Sequence, residues 1–113
     1  MKKMPSYSIM IMAAAMLLLR AAGVNGDEYD RGKTIYDSKC LMCHGENGKG
    51  DGPASVAFTP RPYDFTKPEF WKNNRDIKIK NAVENGYKVM PQIDLTPDEI
   101  NAVIDYMSHT FKR

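Results

Sequence analysis

Apolar side chains gather into separate groups along the chain, and their spacing differs from group to group. Ile9 to Leu19 is an unbroken apolar run. Gly32, Ile35, Tyr36 and Cys40 recur at intervals of three and four, which predicts a helix over 27–39 with one buried face. Asp27, Glu28 and Asp30 stand at its start, where the helix dipole favours negative charge. Gly32 inside a helix costs up to about 1 kcal/mol relative to alanine; it implies either close approach of another helix or a frayed first turn. Ile77, Ile79, Ala82 and Val83 predict a second helix over 76–85, ended by Gly86. The clearest pattern is the last. Thr96 reads as the cap, Pro97 as the first helical residue and Glu99 as the partner in a capping box. The stripe of Ile100, Val103, Ile104, Met107 and Phe111 follows. Thr66 and Glu69 suggest another capping box, opening a short helix that holds Phe70 and Trp71. No segment alternates with period two for long enough to be a strand, so the expected class is all-α.

Between these groups the composition shifts. Gly45, Gly48, Gly50 and Gly52 are followed by Pro53, Pro60 and Pro62, a loop too long to be an idle connection in so small a domain. At the other extreme, the run Ile9–Leu19 follows Lys2 and Lys3 and gives way to Ala21, Ala22, Gly23 and Gly26. Basic, apolar and small-residue regions in that order read as a cleavable export signal over residues 1–26, cut after Gly26 or after Gly23. A membrane anchor is the rival, but eleven residues fall short of the roughly 20 that a bilayer requires. Residues 27–113 would then be the working domain.

That division alters the charge picture. Lys2, Lys3 and Arg20 leave with the signal, so 13 of the 16 basic side chains remain against 14 acidic ones. With no basic run, nucleic acid is excluded as a partner. Met42, Met90 and Met107 are the methionines left. A domain of this size has a thin core and needs a staple, whether disulfide, metal or cofactor. A disulfide between Cys40 and Cys43 would close a tiny loop and stabilise little.

Those cysteines belong to Cys40-Leu41-Met42-Cys43-His44, the Cys-x-x-Cys-His signature of covalent haem c attachment. Two thiols three positions apart at a helix end can each add to one haem vinyl group, and the following histidine then lies beneath the ring. A thioredoxin-like pair would need a strand before it and a helix after it. A zinc site needs four ligands, and His109 alone does not complete the set.

With this motif the chain resembles the class I cytochromes c over residues 28–111. Gly32-x-x-x-Tyr36 and Val103-x-x-Tyr106 are similar to the residues at which that family's first and last helices cross. The segments Cys43 to Pro53 and Pro62 to Thr66 are similar to those of small bacterial members. The resemblance implies a small all-α cytochrome c fold, three to five helices around one covalently bound haem that forms much of the core. His44 would be one iron ligand. Met90, followed by Pro91 in an irregular segment, resembles the family's axial methionine loop; Met107 lies on a helical stripe, Met42 is locked in the attachment loop and His109 is close to the C-terminus. By the same resemblance the Pro53 carbonyl would accept from His44, and Arg61, Tyr63 and Trp71 would either donate to the haem propionates or serve as packing and solvated loop residues.

If His44 and Met90 both bind iron, no position is open to a substrate, and the function expected is electron transfer in the periplasm, cycling Fe(II) and Fe(III), rather than enzymatic catalysis. The partners expected are redox proteins, with no small-molecule substrate and with membrane contact only through a partner complex. An electron-transfer subunit of a larger oxidoreductase and a haem-based gas sensor are the alternatives. The sensor would need the iron to be open or Met90 easily displaced.

Overall fold

The computed structural model describes residues 24–113. The expected export signal therefore lies outside the described residues except for its last three positions. Helix α1 spans Val24–Lys39, and α2 is a single turn, Leu41–His44. Two 3-10 turns follow, Ser55–Ala57 and Pro68–Trp71. Helix α3 covers Arg75–Asn85 and α4 covers Pro97–Phe111. The all-α expectation holds: among the described residues the sole β-type pairing is an isolated bridge between Tyr87 and Met90. None of these helices is long and apolar enough to cross a membrane.

The first and last helices form the frame. A Cβ at Gly32 would overlap the carbonyl of Ala102 and crowd Tyr106 Cβ, so the two helices touch backbone to backbone there. Close approach, not fraying, is what that glycine serves. Aromatic rings fill the space beside the crossing. Tyr36 stands 5.4 Å from Tyr106 and 5.3 Å from Phe111, centroid to centroid, and Tyr29 lies 5.2 Å from Tyr106. Every residue of the predicted α4 stripe is buried: Ile100, Val103, Ile104, Met107 and Phe111. Thr96 caps that helix, its Oγ1 accepting from the Glu99 backbone N–H at 3.3 Å.

Helix α3 contributes Ile79 and Val83 to the same core. It ends at Gly86, whose φ of 76° breaks the helical path while its N–H still bonds Ala82 O at 2.8 Å. One predicted cap is corrected. Thr66 caps nothing; its N–H and hydroxyl both donate to Asp64 Oδ1, at 2.9 and 2.6 Å. These bonds hold the Asp64 carboxyl below the usual range. Lys67 takes the cap position, and Phe70 and Trp71 sit on a 3-10 turn. A short polar side chain bonded to its own neighbourhood competes with capping, and here the local bond wins.

Candidate functional site

Helix α1 does not stop cleanly at Lys39. The Cys40 N–H still donates to Tyr36 O at 2.9 Å, and His44 N–H to Cys40 O at 2.9 Å, so the two cysteines and the histidine are presented on one continuing helical path. The glycine loop then folds back over that turn. Gly50 N–H reaches His44 O (2.8 Å), Gly52 N–H reaches Cys43 O (3.2 Å) and Ala54 N–H reaches Met42 O (2.8 Å). Carbonyls at a helix end need partners, and the loop supplies them. The loop thus holds the turn through backbone bonds.

A cavity of about 710 Å³ opens beside this turn. It falls within the roughly 300–1,000 Å³ typical of small-molecule and cofactor sites. Cys40 and His44 form one part of the wall, and Phe65, Phe70, Ile79, Val83 and Val103 its apolar body. Met90 and Met107 both reach it. Cys43 is half-buried and lies outside the lining. Both cysteines are free thiols; burial pushes the Cys40 thiol up to about 12, with the nearby Cys43 adding to the shift.

The His44 ring stacks on Phe65, with centroids 4.5 Å apart and planes 22° from parallel. Burial lowers its pKa to about 4, against a smaller opposing effect of the Tyr63 backbone, so the imidazole is neutral and its lone pair is available to a metal. Its Nδ1 is buried and makes no hydrogen bond. That nitrogen makes no bond to the Pro53 carbonyl expected to receive it, and Pro53 is exposed. Tyr36 anchors the motif instead. Its buried hydroxyl donates to Gly45 O at 2.6 Å, just past His44, and burial keeps the phenol protonated.

Met90 is held by backbone, not by packing alone. Tyr87 and Met90 exchange N–H···O bonds of 3.0 and 2.9 Å, and Ile93 N–H ties the following segment to Val83 O at 2.9 Å. Lys88 takes a left-handed φ of 53° in that bend. Met107, by contrast, is buried within α4.

The remaining sequence candidates divide. Tyr63 lines the cavity and is 56% exposed. Arg61 is exposed and away from the lining. Trp71 is spoken for: its indole N–H donates to Phe65 O at 2.7 Å, and the ring packs edge-on against Phe70. Sequence reasoning missed Arg75, which opens α3, lines the cavity and lays its guanidinium 4.4 Å from the centroid of the Phe70 ring. Nothing in the linear pattern marks it, since the contact depends on a turn that brings Phe70 back to the start of the helix.

The donor set suits a haem. Two thiols at attachment spacing, a neutral imidazole with an unpartnered buried nitrogen and thioethers at the same apolar cavity are what that group requires. A zinc site is disfavoured, since among the described residues no three His, Cys, Asp or Glu side chains converge. A family model described as Cytochrome c matches residues 29–111. No curated protein matches the chain.

Proposed function

The chain belongs to the cytochrome c family, whose members transfer electrons through haem, and on that footing we propose that it is a class I carrier working in the periplasm. Cys40 and Cys43 would attach its haem c, and His44 and Met90 would hold the iron. One observation carries this reading: a single apolar cavity gathers Cys40, His44 and Met90 from segments 50 residues apart in the chain.

When bound, haem supplies a one-electron Fe(II)/Fe(III) couple. The protein's own residues do the rest. His44, kept neutral by burial, offers a lone pair, while Tyr36 and the glycine loop hold its turn in place. The bonded bend at Tyr87–Met90 presents a thioether at a fixed position. The apolar wall of Phe65, Phe70, Ile79 and Val83 excludes water and favours the less charged, reduced iron. Were His44 and Met90 both to hold the iron, no position would be open to a substrate, as carriage rather than catalysis or gas sensing requires. Support for the periplasm comes from the basic, apolar and small-residue order of residues 1–26.

Mass spectrometry of the exported protein tests the proposal. The expected mass is that of residues 27–113 plus one haem that acid-acetone does not extract. A bare polypeptide mass would end it.

A further inference from the structure

The cavity wall is electrically one-sided. Arg75 and Lys78 bring full charges to it, and no carboxylate does. Both belong to the first turn of α3, Arg75 half-buried and Lys78 exposed. Their acidic neighbour Asp76 faces a separate surface groove, with Lys80 and Asp105. Arg75 is also positioned. Its Nε donates to the Phe70 carbonyl, and its guanidinium lies over the Phe70 ring. A guanidinium has five N–H donors, and that bond uses one. Among the described residues no carboxylate pairs with Arg75. A partly buried cation with spare donors, aimed at an apolar cavity, is costly unless an anion meets it.

We infer that Arg75 anchors the anionic edge of the haem, its terminal N–H groups taking a propionate carboxylate while Lys78 adds positive charge at the rim. The assignment rests on the proposed covalent haem. It replaces Arg61 and Trp71, the first of which is off the cavity and the second already bonded to Phe65 O. Fixing a cation at this edge disfavours the ferric state, which carries one more positive charge, so Arg75 raises the potential.

The test uses purified holoprotein, with the covalent adduct verified by mass for each variant. A wild type without the adduct would remove the haem reading and this assignment together; the variants bear on Arg75 alone. Arg75→Gln keeps an N–H donor and loses the charge. It should move the Fe(II)/Fe(III) equilibrium about tenfold toward ferric, about 59 mV for one electron. Arg75→Lys should recover at least half of that shift, and Arg61→Gln should leave the potential unchanged. If Arg75 serves only to pack on Phe70, both Arg75 variants will lose stability and keep the wild-type potential, which overturns the assignment. An Arg61→Gln shift as large as that of Arg75→Gln overturns it too. Nitrogen NMR of the wild-type holoprotein gives a reading that needs no variant: the Arg75 terminal N–H signals should be displaced by the haem ring and slow to exchange with water. Signals at free-guanidinium positions would refute the anchor.

Discussion

Tyr36 reaches nine residues along the chain to bond Gly45 O, and both groups are buried. Tyr36→Phe leaves that carbonyl only the longer bond from the Gly48 N–H, at 3.2 Å, at a cost of about 0.5–1.5 kcal/mol. Urea unfolding of the holoprotein should show the loss as a lower midpoint. The two thioethers at the cavity can be told apart by a second pair of variants. A thioether on ferric haem gives a weak absorption band at the red end of the spectrum. Met90→Ala should abolish it and open the iron to added ligands. Met107→Leu should keep the band and cost less than about 1.5 kcal/mol, since the exchange conserves volume. Loss of the band in Met107→Leu alone would make Met107 the ligand. At this scale the legible residues were Cys40, Cys43 and His44, because attachment chemistry imposes a local spacing that survives without a fold. Arg75 was illegible for the opposite reason: its role depends on Phe70, five residues earlier and turned back toward it.

The crossing of α1 and α4 depends on one position. Gly32→Ala gains helix propensity of about 1 kcal/mol, yet the added methyl meets the Ala102 carbonyl, which cannot move without shifting α4. A net loss of about 1–3 kcal/mol is expected, the range for overpacking, and differential scanning calorimetry would measure it. Thr96→Ala should cost about 1 kcal/mol through the lost cap on α4. Both elements were readable in advance, since their apolar stripes run for several turns and their boundaries carry proline, glycine and a capping threonine. The segment from Thr66 to Trp71 was misread in detail. A capping box needs only two residues at the right spacing, and Asp64 claimed Thr66 first.

Seen whole, the described domain places its cavity where a larger protein would place more core. Phe65, Phe70, Ile79, Val83, Val103 and Met107 are buried and also line that cavity. A chain this short buries too little by itself to hold such a space open. Cys40→Ala combined with Cys43→Ala should therefore abolish the cooperative thermal transition seen in wild-type holoprotein, as followed by far-ultraviolet circular dichroism, and leave the chain open to limited proteolysis. A native-like transition in the double variant would show that the helices hold together on their own side chains.

Trp71 is the chain's single tryptophan, bonded to Phe65 O and packed against Phe70, two residues that line the cavity. An indole fixed this near a haem passes its excitation energy to the porphyrin instead of emitting light. Native holoprotein should therefore be nearly dark under ultraviolet excitation. As Trp71 moves away from the ring during unfolding, emission should rise, so the molecule carries its own optical gauge of how tightly it is closed.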